Sequence, residues 1–303
     1  MLRFGYAPSL ATGTVAIGGT LGSLIPPSVL FILYGIFAEQ SIARLFIAAI
    51  IPGVISLLAY MLVIYFWVKI RPEVAPQPDE TISREARMKS LLDCWAILAL
   101  FVVVIGGIYI GLFTPTEAAG VGASATLILG LLLGRLKTDG VLRALKESVF
   151  QTSMIFVIAI GGKLFVNFIA LTGLANEITF WIESTDASMF VVIGLIVVMY
   201  IFLGMFLDPI GIILLSLPLT IPIVEAYGLS LIWFGVVVVK LLEIGLVTPP
   251  IGLNVFVIKS IVDKTIKLES IFKGVGLFLV AEVFVLALII CVPAVSLLLT
   301  AFV

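Results

Sequence analysis

Two short strings in this 303-residue sequence are built alike: Gly22-Ser23-Leu24-Ile25-Pro26-Pro27-Ser28 and Gly245-Leu246-Val247-Thr248-Pro249-Pro250-Ile251. Each sits inside an apolar tract otherwise long enough to cross a membrane as a helix. The second proline of a pair forces its predecessor out of the α region, and neither proline has an N–H to donate, so the helix must break and several carbonyls lose their donors. Freed backbone groups in hydrocarbon are costly unless protein or water satisfies them, so broken helices survive where they line a cavity or bind something. A third interruption, Gly204-Met205-Phe206-Leu207-Asp208-Pro209, carries a carboxylate. Ionised and unpaired at membrane depth, Asp208 would cost about 2.5–3.5 kcal/mol, so a cation or polar ligand is expected beside it; an N-cap for a helix from 210 is a structural role it can hold as well.

Other polar residues in apolar tracts have two readings each. Glu243 precedes the second break with Lys240 three residues earlier, so an i,i+3 ion pair stands against substrate contact. Lys163 and Asn167 share one helical face and either point into the protein or, for Lys163, snorkel to the interface. Glu282 is equally a surface or a buried residue. Thr114-Pro115-Thr116-Glu117 has the composition of a capping box, which gives Glu117 a structural role.

Composition sets the frame for these residues. With 62% hydrophobic and 12% charged residues, the chain is an integral membrane protein. Its formal charge of −1 offers no footprint for nucleic acid, and the absence of histidine removes His-based triads, metal sites and proton relays. Cys94 and Cys291 read as two buried free thiols, and no phosphate-binding Gly-rich string supports ATP hydrolysis. The N-terminus lacks the pattern of a cleaved signal peptide. Straightforward spans are expected near 45–68, 95–113, 117–134, 149–171 and 275–300. The interrupted tracts are a broken helix at 7–37, a re-entrant hairpin at 188–224 with Asp208-Pro209 at its tip, and a broken helix at 230–260. One long crossing at 188–224, with 230–260 as the hairpin, fits the sidedness equally. The Gly107/Gly111 and Gly130/Gly134 pairs are weak signals of close helix approach.

Basic residues orient the spans. Lys69, Arg71, Arg84, Arg87 and Lys89, then Arg135, Lys137, Arg143 and Lys146, then Lys259, Lys264, Lys267 and Lys273 form three clusters, all placed in the cytoplasm. With Arg3 that makes 14 basic residues inside, Arg44 alone outside, and Lys163 and Lys240 within the membrane; the outer segments hold Glu177, Glu183 and Asp186. The Pro-rich, charged stretch 71–80 marks residues 69–94 as a cytoplasmic linker between two halves. Those halves are related: an offset of 223 residues aligns Gly5 with Gly228, Gly22 with Gly245, and Pro26-Pro27 with Pro249-Pro250. In the charge assignment the first copy starts inside and the second outside. The copies are thus inverted, the arrangement of secondary transporters that bind ions and substrate at the midplane. Residues 1–68 hold the remainder of the first repeat, 95–134 two connecting spans, and 135–303 the second repeat.

Five segments together resemble one family. They are Gly5-Tyr6; Gly18 to Ser28; Phe113 to Ala119; Gly204 to Pro209; and Glu243 to Asn254. In content and order they are similar to the large, DctM-like membrane subunit of tripartite ATP-independent periplasmic (TRAP) transporters, across essentially the whole chain. The resemblance implies an all-α polytopic, inverted-repeat, elevator-type transporter in the bacterial inner membrane. It also implies sodium-coupled import of an organic anion, often a carboxylate, with sodium as coupling ion and no cofactor. A periplasmic binding protein would deliver the anion, and a small four-helix, DctQ-like membrane subunit would be the second partner, with lipid around both. Carried over, one sodium lies at the first break (Gly22, Ser23, Ile25, Pro27). A second lies between the hairpin tip (Gly204, Met205, Asp208) and the second break (Gly245, Thr248, Pro250). Substrate sits near Thr20, Ser28, Asp208, Thr248 and Asn254. The sequence departs from the family in having only four residues before Gly5, where a first hairpin is expected, so the chain reads as a fragment, a misassigned start or a truncated product. Two other functions remain: a sodium/carboxylate elevator transporter without a binding protein, and an intramembrane enzyme using Asp208 and Glu243 as acid and base.

Overall fold

The structure is a computed structural model that describes residues 1–76, 83–85, 88, 92, 94–174, 177–178, 180, 184–185 and 187–302. Gln77, Pro78, Asp79, Glu80, Arg87 and Lys89 of the expected linker, and Glu183 and Asp186 of the outer segment, lie outside the described residues. Every regular element among the described residues is a helix. In order these are α1 (Pro8–Leu24), α2 (Val29–Phe37), α3 (Ile42–Ala48), α4 (Ile50–Ile70), α5 (Trp95–Tyr109), α6 (Pro115–Leu132), α7 (Thr138–Thr172), α8 (Met189–Gly204), α9 (Pro209–Ala226), α10 (Leu231–Val247), α11 (Leu253–Ile261), α12 (Leu268–Cys291) and α13 (Ala294–Leu297). Two units share them, one made of residues 1–76 and 159–303 and the other of 77–158.

The larger unit is built around α10, which is buried from Ile232 to Gly245 because helices close on it from every side. Packed against it are α1, α2, α3, α8, α9, α11, α12 and α13. A helix apolar all round belongs in such a place. A second layer forms where α1 runs along α12 and α12 along α4. Ile17, Leu21, Tyr60, Val247, Val255, Val275 and Phe278 interlock there. The outer faces stay apolar, with Leu58, Met61, Phe66, Val283 and Phe284 exposed, as expected of a surface solvated by lipid tails.

The two broken tracts share one plan. A helix of 17 residues, α1, ends at Leu24 and a helix of 9, α2, resumes at Val29; likewise 17 residues of α10 end at Val247 and 9 of α11 resume at Leu253. The 223-residue offset carries both ends of α1 onto those of α10. Gly5 and Gly228, matched by the same offset, both have positive φ, 78° and 65°. The peptide bonds Pro26-Pro27 and Pro249-Pro250 are both cis. Between the copies, α8 and α9 fold back on one another: the Tyr227 hydroxyl after α9 donates to the Ala187 carbonyl before α8 at 2.7 Å, and further in the Ser216 and Tyr200 hydroxyls meet at 2.6 Å. The turn between them is 205–208.

In the smaller unit, α5 packs on α6. The helix α6 opens with a complete capping box: the Thr114 N–H donates to Glu117 Oε2 at 2.9 Å, and the Glu117 N–H to Thr114 Oγ1 at 3.3 Å.

Several sequence expectations need correction. The span expected at 45–68 lies within the longer apolar stretch 42–70, which α3 and α4 form with a step at Ala49. The last span ends at Cys291, with Pro293 two residues beyond, and a short helix follows. The span expected from 149 begins as a helix at Thr138, its extra turns carrying the exposed Arg143 and Lys146. Both cysteines are free but exposed, since their apolar neighbours form a lipid-facing surface rather than an interior. Nor do the Gly107/Gly111 and Gly130/Gly134 pairs receive a neighbouring helix. A Cβ on Gly107 would meet the Phe113 ring at 2.4 Å and one on Gly130 would meet Leu136 Cβ at 3.3 Å, both in the chain leaving the same helix. Gly111 and Gly134 follow as left-handed residues that end those helices.

Close backbone approach occurs instead between α1 and α12, where a Cβ on Gly274 would stand 2.1 Å from the Ser9 carbonyl oxygen. Such a contact allows no repacking short of moving a helix. Gly274→Ala should lower stability by about 1–3 kcal/mol. Gly276→Ala, where a Cβ meets nothing within 4 Å, should be neutral. Thermal unfolding in lipid nanodiscs reads the difference, and equal stability of the two variants would contradict this crossing.

Candidate functional site

The first break follows from its sequence. In a continuous helix the carbonyls of Gly22 and Ser23 would accept from the N–H groups of residues 26 and 27, which here are prolines and have none. The last regular bond of α1 is Ile25 N–H to the Leu21 carbonyl, at 2.8 Å. Beyond it the chain extends through Pro26 and Pro27, and Ser28 caps α2 by accepting from the Phe31 N–H at 3.4 Å. The buried Ser28 hydroxyl turns back to donate to the Ser23 carbonyl. Gly22, Ile25 and Pro27 are exposed, Ser23 is half-buried, and Thr20 is buried one turn earlier, donating to the Ile17 carbonyl at 2.7 Å.

The second break obeys the same covalent rule, with Gly245 and Leu246 in the places of Gly22 and Ser23. Thr248 ends α10 by donating its hydroxyl to the Ile244 carbonyl at 2.6 Å and its N–H to the Gly245 carbonyl at 3.2 Å. Pro250 is exposed, Thr248 half-buried, and Gly245 buried. What buries Gly245 is the hairpin turn. A Cβ on Gly204 would lie 2.9 Å from Gly245 Cα, and one on Gly245 would lie 2.7 Å from Gly204 Cα, so α8 and α10 touch backbone to backbone beside the break. Met205 follows, half-buried, and Asp208 stands exposed at the end of the turn. Its carboxylate accepts from the N–H groups of Ile210 and Gly211 at 3.0 and 3.1 Å. Asp208 therefore caps α9 and keeps its other oxygen, Oδ1, out of the capping bonds.

The structure thus brings Gly204, at the end of α8, against Gly245 of the second break; Met205 and Asp208 follow in the turn. It also places half-buried Asn254 of α11 beside α1, 3.9 Å from where a Cβ on Gly19 would be. The side-chain and carbonyl acceptors named at the two breaks are oxygens, those of Asp208, Ser28, Thr248 and the carbonyls that the prolines leave, with the Asn254 amide beside them. That set of oxygens suits a hard cation. Among the described residues no group of three or more His, Cys, Asp or Glu could hold another metal. Lys163 and Asn167 are exposed on α7 and belong to neither break.

A cluster the sequence revealed only in part lies next to both breaks. Lys240 and Glu243 form the i,i+3 pair at 3.0 Å, and Glu282 of α12 joins them at 2.5 Å from the Lys240 ammonium. Ser56 of α4 accepts a hydrogen bond from the ammonium at 2.8 Å. Exposures of 0% for Lys240 and 1% for each glutamate settle Glu282 as a buried residue. Glu243 faces Ser23 of the first break and stands two residues before Gly245 of the second. Glu243 is bound to Lys240 in the interior, whereas Asp208 is exposed and caps α9. Only the Lys240/Glu243 spacing is local; Glu282 and Ser56 come from other helices and leave no local signal.

Helices broken at paired prolines in an apolar helical bundle are the architecture of a membrane transporter. Residues 1–295 match the family described as "Tripartite ATP-independent periplasmic transporter, DctM component", and the chain belongs to that family. It is similar to the sialic acid TRAP transporter large permease protein SiaM of Vibrio cholerae, at 33% identity over 97% of this chain and 68% of that protein. It is 32% identical to the C4-dicarboxylate TRAP transporter large permease protein DctM of Pseudomonas aeruginosa, over 98% of this chain and 69% of that one. It is 30% identical to the ectoine TRAP transporter large permease protein TeaC of Halomonas elongata, again over 98% and 69%. Among the described residues six helical stretches are long and apolar enough to cross a bilayer, and the chain, like the permeases of its family, is an inner-membrane protein.

The Gly204/Gly245 contact gives a direct test of the second break. Gly245→Ala and Gly204→Ala each insert a methyl where backbone stands, which parts the hairpin turn from the break. Solute uptake should fall at least tenfold, about 1.4 kcal/mol or more, while Gly18→Ala, which meets nothing within 4 Å, should keep uptake near wild type. Full uptake by both parted variants would show that the contact has no functional role.

Proposed function

We propose that this chain is the membrane subunit of a sodium-coupled secondary transporter that imports an organic anion delivered by a periplasmic binding protein, together with a small membrane subunit. The observation that carries this reading is the pairing of two proline breaks, one of them sealed against a hairpin turn bearing Asp208. Sodium is held at the first break by the carbonyls of Gly22, Ser23, Ile25 and Pro27. The second ion lies among Gly204, Met205, Asp208, Gly245, Thr248 and Pro250. Nearby Thr20, Ser28, Thr248 and Asn254 offer hydroxyl and amide groups to the solute, which takes its place between the two repeats. The repeats run in opposite directions across the bilayer, and an elevator movement of the unit that carries both breaks exposes the site to each side in turn. Relatives named for sialic acid, C4-dicarboxylates, isethionate and ectoine support a small organic solute.

Uptake by proteoliposomes, with the small subunit and binding protein supplied, tests the reading. An inward sodium gradient should drive accumulation that collapses when choline replaces sodium. Asp208→Ala, which loses both the cap and a free carboxylate oxygen, should abolish it. Uptake indifferent to sodium, or intact after Asp208→Ala, would refute the assignment.

A further inference from the structure

A groove between α4 and α12 has the dimensions and polarity of an amphiphile. Its volume is about 1140 Å³, and it follows α4 from Ile55 to Arg71 and α12 from Leu288 back to its N-cap, Lys267. Along α4 that is about 24 Å at a rise of about 1.5 Å per residue, more than the roughly 15 Å that one leaflet contributes to the hydrocarbon core. Most of the length is apolar. Half-buried Ala59 and Ala281 are small, and among the larger exposed side chains of Leu62, Phe66, Val280 and Phe284 they leave the space that a chain of methylenes fills.

Ordinary lipid contact accounts for an apolar groove but not for its charged end. Ser9, Arg71, Lys267, Glu269, Ser270 and Lys273 line the end where α4 finishes and α12 starts, and among the described residues no charged or hydroxyl side chain lines the rest. Lys273 pairs with Glu269 at 2.9 Å, which leaves Arg71 and Lys267 outside any ion pair among the described residues. The helix α12 also opens at Lys267 without a side-chain cap, and the N–H groups of an uncapped first turn attract anions. Both cations belong to the clusters that the charge asymmetry puts on the cytoplasmic side. The hairpin of α8 and α9 rests on α10 and α2 and contributes nothing to the groove.

We propose that this groove binds one anionic phospholipid from the cytoplasmic leaflet, with its phosphate between Arg71 and Lys267 and an acyl chain along Ala59 and Ala281. Basic pockets between membrane helices on that side suit lipid headgroups of negative charge. A zwitterionic lipid would bring its own cation up to the two unpaired ones, so the charge at the mouth selects the headgroup while the groove holds the tail. The lipid lies against α4 of the first repeat and α12 of the second.

Native mass spectrometry of the purified protein, titrated with phosphatidylglycerol or with phosphatidylcholine of the same acyl chains, reads the affinity of the first lipid bound. Wild type should bind phosphatidylglycerol about tenfold more tightly or better. Arg71→Gln combined with Lys267→Gln, at two exposed positions, should bring the two lipids to within about twofold. Arg143→Gln combined with Lys146→Gln, exposed on α7, should keep the wild-type preference. Ala281→Phe, which fills the groove and leaves its charges, should weaken phosphatidylglycerol about tenfold or more; Ala59→Phe makes the same test from the facing helix if the first variant fails to fold. Equal affinities in wild type would overturn the proposal, as would a preference that survives the loss of Arg71 and Lys267. So would full binding to a filled groove, which would reduce the site to surface attraction, or displacement of the lipid by glycerol phosphate, which would assign it to a soluble anion.

Discussion

A carbonyl whose helical partner is a proline has no N–H to accept from. At the two breaks four positions meet that condition, Gly22, Ser23, Gly245 and Leu246, and the architecture around the breaks follows from them; inside α9 the carbonyls of Leu214 and Pro218, opposite Pro218 and Pro222, meet it as well. Such oxygens are costly to leave facing lipid, and the breaks lie where α1, α2, α10 and α11 pack on one another, with Gly22, Pro27 and Pro250 left exposed. The Ser28 and Thr248 hydroxyls fold back onto nearby carbonyls, and the hairpin turn is pressed against Gly245. Partial satisfaction of this kind leaves room for a ligand that brings positive charge and takes oxygen donors.

Rigidity around the breaks comes from interactions of another type. Glycine contacts between α1 and α12 and between α8 and α10 fix helix positions through backbone atoms, which cannot repack as side chains do. The Lys240 cluster ties α4, α10 and α12 through one ammonium. Such a buried pair adds little net stability, yet losing one member costs about 3–5 kcal/mol because the remainder is stranded. Together they hold the broken ends in one geometry while the outer faces stay largely apolar toward lipid.

Much of this was legible because it is covalent or local. Paired prolines announce their breaks, Thr114 to Glu117 announces a capping box, and Asp208-Pro209 announces an N-cap. The Lys240/Glu243 spacing is equally plain. Hydropathy, however, does not separate a lipid-facing surface from a protein interior, which is why Cys94 and Cys291 read as buried and are exposed, while Glu282 could be placed on neither side. Glycine spacing has the same ambiguity: Gly107 and Gly130 serve the ends of their own helices, whereas the tight crossing uses Gly13 and Gly274, which share no motif. The meeting of Ser56, Tyr60, Lys240 and Glu282 is tertiary, and no window of sequence contains it.

The central claim is that carbonyls deprived of donors by proline bind the coupling cation. Sodium binding to the purified protein, followed by titration calorimetry, tests it when Pro26→Ala and Pro249→Ala return an N–H to the partner of Gly22 and of Gly245 respectively. The account expects each substitution to weaken sodium binding at least tenfold, about 1.4 kcal/mol, with the fold retained. Unchanged sodium affinity in both variants would contradict it.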